Sequence, residues 1–243
     1  MEKYLLTSDS LTGGFSDKGC NQIKTMTTQV FYSEISSTPK PETDYLMKLV
    51  SRDKQILLSK FKFDIDRKLS LYAELLVRYQ IHKELSLKNE EIVFIKNEHG
   101  KPYLQDYLKF QFNISHTRNA IAVAFSSVEI GIDIEHIEPP DYRIAKRFFA
   151  PAEQEFIFSH ENPEYAFYEI WTKKEAYIKF LGTGFSTPLK SFDVLNNKIK
   201  SMLHTFEASN YLVTTCYKEM GNIEPVIITI TEVDLYTLLN EII

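Results

Sequence analysis

A short segment in the middle of the chain alternates strictly between apolar and other side chains. Residues 128–135 read Val-Glu-Ile-Gly-Ile-Asp-Ile-Glu. Successive side chains of a β-strand point to opposite faces, so this pattern predicts a strand with one apolar face and one acidic face. Glu129, Asp133 and Glu135 share the acidic face, and Gly131 leaves room between them. The apolar face must be covered by a core, which requires a sheet in this part of the fold.

Helical and strand-like segments are mixed in both halves of the chain. Apolar residues at three- and four-residue spacing predict helices over 44–60, 66–82 and 164–181, and another that begins at Pro151. Alternating or apolar runs predict a strand near Thr28 and further strands over 110–114, 120–125, 191–200, 211–218 and 225–233. We therefore predict an α+β fold of two similar α/β subdomains related by a pseudo-twofold axis. Each has a small antiparallel-rich sheet packed on a long helix. The expected divisions are an N-terminal extension (1–27), an N-terminal subdomain (28–126) and a C-terminal subdomain (127–243).

The bulk properties argue against several classes of protein. Charged residues make up 25% of the 243 residues, and the formal net charge is −5. A nucleic-acid partner usually requires a basic field, so none is expected. No window approaches the roughly 20 apolar residues of a membrane span, and the N-terminus has no apolar run typical of a signal peptide. Two cysteines without CxxC spacing indicate neither a disulfide framework nor a zinc site. We expect a cytoplasmic protein without a membrane partner.

The acidic strand face has two interpretations. Asp133 and Glu135 are two positions apart, which corresponds to roughly 6.5–7 Å along a strand. Two close carboxylates beside a glycine form a hard oxygen site suited to Mg²⁺. Alternating acidic and apolar residues are also common on an ordinary solvated strand face. From the residues alone, both interpretations stay open.

The predicted helix 164–181 carries a second pair of charges. Glu175 and Lys179 lie one turn apart at the edge of an apolar stripe that includes Trp171, Lys174 and Ile178. In that position the two charges can line a cleft while the helix stays anchored in the core. The alternative is an exposed Glu–Lys pair, which stabilises a helix by only about 0.2–0.5 kcal/mol.

Polar residues also occur at a predicted strand end, in Phe-Asn-Ile-Ser-His-Thr over 112–117. Ser115 and His116 are adjacent, so on an extended chain they point to opposite sides and do not suit a nucleophile–base pair. A phosphate contact or a structural turn fits them better. Scattered cations, including Lys54, Lys60 and Lys62, are by default solubilising residues. Lys101 differs because Gly100 and Pro102 fix its turn, and no Gly-rich phosphate loop occurs in the chain.

The order of these motifs resembles a known family. Gly-Lys-Pro-Tyr (100–103), Phe-Asn-Ile-Ser-His (112–116), Gly-Ile-Asp-Ile-Glu (131–135) and Trp-Thr-Lys-Lys-Glu-Ala-Tyr-Ile-Lys (171–179), followed by Gly-Thr-Gly, are similar to the surfactin-type 4′-phosphopantetheinyl transferases. The resemblance covers roughly residues 28–205. It implies transfer of the phosphopantetheine arm of coenzyme A to a serine of an apo acyl or peptidyl carrier protein, with Mg²⁺ as cofactor and 3′,5′-ADP as the released product.

The resemblance also implies residue roles. Asp133, Glu135 and Glu175 would hold Mg²⁺, and Glu175 and Lys179 would act in catalysis. The residues implied to contact coenzyme A are Lys54, Ser70, Lys101, Ser115, His116, Lys174 and Lys179. Leu57 stands where the family has a second basic residue, so Lys60 or Lys62 would have to supply part of the grip on the 3′-phosphate.

The sequence is compatible with two alternative functions and with several acceptor proteins. An unrelated Mg²⁺-dependent nucleotide hydrolase is the alternative within enzymes, and an inactive carrier-protein-binding homologue is the alternative outside them. Fatty-acid, polyketide and peptide carriers are all candidate acceptors. By analogy with two-half members of the family, we expect a monomer.

Overall fold

The computed structural model describes residues 26–38, 42–218 and 223–239. The predicted N-terminal extension therefore lies outside the described residues as far as residue 25. The described part confirms the predicted α+β class, with three sheets and eight α-helices. No helix in it is both long and apolar enough to cross a membrane. The strands are β1 (Gln29–Glu34), β2 (Phe94–Lys96), β3 (Pro102–Leu104), β4 (Gln111–Thr117), β5 (Ala120–Ser126), β6 (Ile130–His136), β7 (Leu203–Ala208), β8 (Tyr211–Tyr217) and β9 (Val226–Thr229).

Two helices are much longer than the others, and both have clear ends. The longer one continues to Ser86, which adopts a left-handed conformation, and the other stops at Gly182 with φ +66°. Glycine takes this left-handed conformation without steric cost, which is why it ends the helix here. The helices are α1 (Glu42–Leu46), α2 (Arg52–Leu58), α3 (Asp64–Leu85), α4 (Arg143–Phe148), α5 (Pro151–Ser159), α6 (Pro163–Leu181), α7 (Asn197–Lys200) and α8 (Glu232–Leu239).

Two sheets form the centre of the described structure. The first has the strand order β4-β5-β1-β9, and the second has the order β6-β8-β7. Pairing is antiparallel except between β1 and β9. The two-stranded hairpin β2-β3 is separate. β4 and β6 are therefore edge strands of their sheets, and their residues approach each other.

The two sheets pack face to face, and each has a long helix on its other side. Alternate residues of β1 and β5 pack with α3 in one core, while the residues between them face the second sheet. The core between the sheets joins the alanines of β5 to the isoleucines of β6. On the far side, α6 lies against β6 and β8. The core between the two sheets includes Val30, Tyr32, Ala120, Ala122, Ala124, Ile130, Ile132 and Ile134.

Three local predictions are wrong. The predicted helix over 44–60 is divided into α1, a 3-10 turn and α2. The predicted strand over 191–200 is a turn followed by α7, because the Asn196 side chain accepts a hydrogen bond from the Lys198 amide and caps a helix. The last predicted strand ends at Thr229, and α8 follows it. Since β9 pairs with β1, residues after 223 contribute to the first sheet, and the subdomain boundary near Ser126 stays a prediction.

Gly131 brings α6 unusually close to β6. A Cβ atom built on this glycine would lie 2.1 Å from the carbonyl oxygen of Ala176 and 2.3 Å from the backbone nitrogen of Phe180. Real Cβ atoms do not approach backbone this closely, so a side chain here would force the helix away from the strand. The sequence interpretation of Gly131 as room for a ligand is therefore wrong, because the helix backbone fills that space.

Overpacking a core typically costs about 1–3 kcal/mol. We expect Gly131→Ala to destabilise the fold by at least this much, because the backbone of α6 cannot rotate aside as a side chain does. Urea unfolding followed by circular dichroism measures this. Gly100→Ala is the matched control: its new Cβ meets no atom of the described residues within 4 Å, and its positive φ of 88° opposes the substitution. Equal midpoints for Gly131→Ala and the parent protein would contradict the close approach.

Candidate active site

The predicted site residues meet where the edge strands of the two sheets lie side by side. The Asn113 side chain accepts a hydrogen bond from the backbone nitrogen of Ile132 (2.9 Å). Further along, the Ser115 hydroxyl donates to Asp133 Oδ1 (2.9 Å). These contacts, and a third at the end of the strand, join β4 to β6 through side chains. The third runs from Thr117 Oγ1 to Glu135 Oε2 at 3.1 Å.

Helix α6 covers the acidic face of β6. Lys179 Nζ donates to Asp133 Oδ1 (2.7 Å) and to the Ser115 hydroxyl (2.8 Å). Two turns earlier, Trp171 Nε1 donates to Glu135 Oε1 (3.0 Å). Asp133 is only 4% exposed, so the interpretation of this strand face as an open, solvated one is wrong. At Gly131 and Asp133 the face is an interior surface between strand and helix, while the side chain of Glu129 near its start is 47% exposed.

Three carboxyl groups in this region are electrostatically strained. Burial raises the pKa of Asp133, while the nearby Lys179 opposes the rise. Burial, together with the charge of Asp133, raises the pKa of Glu135 to about 7. The pKa of Glu175 is also raised, by burial and by Asp133, which places Glu175 within electrostatic range of both Asp133 and Lys179. The protein holds negative charges together that would separate in water.

The donor set suits a hard divalent cation. Asp133 Oδ2 is buried and has no hydrogen-bond partner among the described residues. A buried oxygen without a partner is costly, and a bound cation removes that cost. No cluster of three metal-ligating side chains is already arranged around one point in the described ranges. The ammonium of Lys179 supplies the positive charge beside Asp133 in this arrangement.

A cleft of about 780 Å³ opens on the face of β4 that points away from this cluster. Lys54 lines it, and Lys54 Nζ donates to the Ser70 hydroxyl (3.0 Å), so these two predicted residues lie together. His116 is in electrostatic range of both Lys54 and Lys179, and its pKa is lowered by burial and by these two cations. A line of basic groups therefore leads from the cleft to the carboxyl cluster.

The lining of the cleft shows which lysine lies near Leu57, the residue that stands where the family has a second basic side chain. Leu57 and Lys60 both line it, so the side chain of Lys60 is placed to supply the positive charge that Leu57 lacks. Lys62 instead lies over the Phe63 ring. Of the two candidates for this role, Lys60 is the one that lines the cleft.

Two lysines that are predicted to contact the ligand, Lys174 and Lys101, are buried and bond to other groups of the protein instead. Lys174 is fully buried and forms an ion pair with Glu153 (2.8 Å), and its pKa is lowered by burial. It also donates to the carbonyl oxygens of Leu189 and Phe192. Lys101 forms an ion pair with Glu129 (2.9 Å) at the start of β6. The structure does not bring Lys174 into the carboxyl cluster.

Sequence reasoning missed several residues that organise the site. Thr117 and Trp171 hold the two oxygens of Glu135, and Asn113 ties β4 to β6. A signal was present, because 113, 115 and 117 are the alternate polar positions of one strand face. Glu153 carried no such signal. It accepts from the backbone nitrogens of Ala150 and Val194 and pairs with Lys174.

Comparisons with known proteins agree with the motif resemblance. A family model described as the 4′-phosphopantetheinyl transferase superfamily matches residues 129–231, and one described as the 4′-phosphopantetheinyl transferase N-terminal region matches residues 37–128. The chain is 37% identical over 155 residues to the 4′-phosphopantetheinyl transferase psf-1 of Bacillus pumilus, which covers 63% of this chain and 66% of that protein. It is 36% identical over 165 residues to the transferase gsp of Aneurinibacillus migulanus (66% and 68%). It is also 37% identical over 155 residues to the transferase Sfp of Bacillus subtilis strain 168 (63% and 69%).

We expect Lys174→Met to destabilise the protein by about 3–5 kcal/mol, because it leaves the Glu153 carboxylate buried without its counter-charge. The double variant Lys174→Met/Glu153→Gln should recover much of this loss, since it removes both charges. Urea unfolding of the parent, both single variants and the double variant gives the coupling. If Lys174→Met folds as stably as the parent and instead binds nucleotide more weakly, the buried pair has been misjudged.

Proposed function

Because this chain belongs to the 4′-phosphopantetheinyl transferase superfamily, we propose that it transfers the phosphopantetheine arm of coenzyme A to a carrier protein. The acceptor is a serine hydroxyl of an apo acyl or peptidyl carrier protein, and the released product is 3′,5′-ADP. One observation carries the proposal. Asp133 on β6 forms an ion pair with Lys179 on α6, and Glu135 and Glu175 lie within electrostatic range of both. Lys54 and Lys60 line a cleft on the other face of β4.

We propose Mg²⁺ as the cofactor, held by Asp133, Glu135 and Glu175. Asp133 Oδ2, which has no hydrogen-bond partner in the part of the chain that the structure describes, and the raised pKa values of these carboxyl groups support this assignment. When bound, the ion neutralises charge on the pyrophosphate and so stabilises the charge that develops during transfer. Ser115, Thr117 and Trp171 keep the carboxylates oriented by donating hydrogen bonds to them.

The reaction exchanges the phosphoanhydride bond of coenzyme A for a phosphate ester bond to the carrier serine. The serine oxygen of the carrier forms a bond to the β-phosphorus of coenzyme A, and the bond from that phosphorus to the bridging oxygen breaks. Glu175 accepts the serine proton, a role favoured by its raised pKa. Lys179 faces the same cluster and offsets negative charge on the departing 3′,5′-ADP. Positioning and electrostatics dominate such transfers, because the protein forms no covalent bond with the group that moves.

The basic residues of the cleft are suited to the nucleotide of coenzyme A. The volume of about 780 Å³ is within the usual range for small-molecule sites. Lys54 and Lys60 line the cleft, and Lys54 also pairs with Ser70 and with Glu74. His116 lies within electrostatic range of both Lys54 and Lys179. We assign the phosphates of the nucleotide to these side chains. The protein is proposed to act as a cytoplasmic monomer.

An inactive homologue or a hydrolase has less support. The acids assigned to Mg²⁺, Lys179 and the cleft all occur in this chain, whereas a protein that only bound carriers would not need them. A hydrolase would instead require a water to be favoured over the acceptor serine. No contact in the described residues favours that.

Incubation with Mg²⁺, coenzyme A and a panel of apo carrier proteins should add one phosphopantetheine mass to at least one carrier. Mass spectrometry of the intact carrier measures this. Asp133→Asn should lower kcat at least about 100-fold, since several kcal/mol of charge stabilisation is lost. Glu155→Gln removes a similar charge from the exposed side of α5 and should leave the rate unchanged. Absence of a mass gain on every carrier would overturn the proposal.

Mg²⁺ should stabilise the protein even without coenzyme A. At 100 times its dissociation constant, a ligand that binds only the folded state adds about 2.7 kcal/mol of stability. We therefore expect the thermal midpoint to rise with MgCl₂, and Asp133→Asn to abolish the rise while Glu155→Gln retains it. NaCl at matched ionic strength separates metal binding from screening. A rise of the same size in Asp133→Asn would remove the basis for the metal assignment.

A further inference from the structure

The turn between β2 and β3 reaches across to the end of helix α6. The side chain of Lys101 is 6% exposed although it carries a charge. Its ammonium donates to the carbonyl oxygens of Ile130 (3.1 Å) and Phe180 (3.4 Å) and to Glu129 Oε2 (2.9 Å). A lysine ammonium has three protons to donate. All three have acceptors within the protein, so none is left for a ligand.

A second residue of the same turn contacts the same helix end. Asn97 Nδ2 donates to the carbonyl oxygen of Gly182 (2.8 Å), the residue that ends α6. The other atom of the same amide, Oδ1, accepts from the backbone nitrogens of Lys101 (2.9 Å) and His99 (3.0 Å). Asn97 therefore fixes the turn and the helix end together. We call Asn97 and Lys101 the turn latch.

The turn latch touches the two elements that carry the carboxyl cluster. Ile130 is the first residue of β6, three positions before Asp133. Phe180 directly follows Lys179 on α6. Lys101 thus bridges the strand and the helix close to the point where Lys179 and Asp133 form their ion pair. Two of its three partners are backbone carbonyls of those elements, so these contacts fix their relative position.

We propose that Asn97 and Lys101 are positioning residues that hold the end of α6 against β6 and so align Glu175 and Lys179 with Asp133. This inference rests on the proposed function and deepens it. It assigns Lys101 to alignment of the catalytic groups, whereas the family resemblance implies contact with coenzyme A. A misplacement of about 1 Å in reacting groups costs on the order of 100-fold in rate, so loss of such a contact should appear in kcat.

The kinetic experiment compares Lys101→Met and Asn97→Ala with the parent protein. Both variants should lower kcat at least about tenfold, while the KM for coenzyme A stays within about twofold. Lys190→Met, at an exposed lysine beyond the cluster, should change neither constant. Leu76→Ala, a cavity in the core around α3, should lower stability without lowering kcat of the folded enzyme. A tenfold rise in KM with unchanged kcat would overturn the proposal and make Lys101 a ligand contact.

A second readout does not depend on transfer activity. Cys216 is fully buried and pairs with Gly131 across the β6–β8 ladder, on the side covered by α6. In a Cys20→Ser background, Lys101→Met should raise the alkylation rate of Cys216 at least tenfold, and Lys190→Met should not. Leu76→Ala reports how much of any increase comes from global unfolding.

The two readouts separate the failure of each idea. If no carrier is modified by the parent protein but Cys216 becomes exposed in Lys101→Met, the proposed function fails and the turn latch stands as a structural contact. If transfer occurs and both latch variants retain the parental kcat and the parental Cys216 protection, the turn latch is wrong and the proposed function is untouched.

Discussion

The close contact of α6 with β6 at Gly131 determines where the chemistry can take place. Four residues of a helix rise about 6 Å, and two residues of a strand advance about 6.8 Å. Trp171, Glu175 and Lys179 therefore keep step with alternate positions of the strand. In this register Trp171 lies level with Glu135 and donates to it, and Glu175 lies level with Asp133. Lys179 lies level with Gly131, and its long side chain reaches back to Asp133. A side chain at position 131 would lift the helix and separate every one of these pairs.

The same contact imposes an electrostatic cost that the rest of the structure must offset. Asp133, Glu135 and Glu175 are partly or fully removed from water, and burial raises the pKa of each. The hydrogen bonds from Ser115, Thr117 and Trp171 lower this cost, and so does Lys179. Asp133 Oδ2 still has no hydrogen-bond partner within the described ranges. Groups held in such a state by surrounding packing are typical of binding and catalytic sites. Large apolar cores on either side of the first sheet supply the stability that makes the cluster tolerable.

Local periodicity was sufficient to predict the main elements, because each depends on its own side chains. The strict alternation of 128–135 gave β6, and the stripe ended by Gly182 gave α6. Periodicity does not say what covers a face, which is why a solvated face and a metal site both stayed open for the acidic side of β6. It also does not distinguish a lysine at a ligand site from a buried one. Lys174 and Lys101 fit motif positions, yet their ammonium groups are taken up by Glu153, Glu129 and backbone carbonyls.

The site depends on both sheets, and this dependence lies in the core between them. Ala120, Ala122 and Ala124 face the isoleucines of β6, and their small side chains let the sheets approach closely. Since β5 also pairs with β4, its distance from β6 decides whether Ser115 can reach Asp133. A larger residue at one of these alanines would push the two edge strands apart. The hydrogen bond by which the Ser115 hydroxyl orients Asp133 would then be lost, although neither residue had been changed.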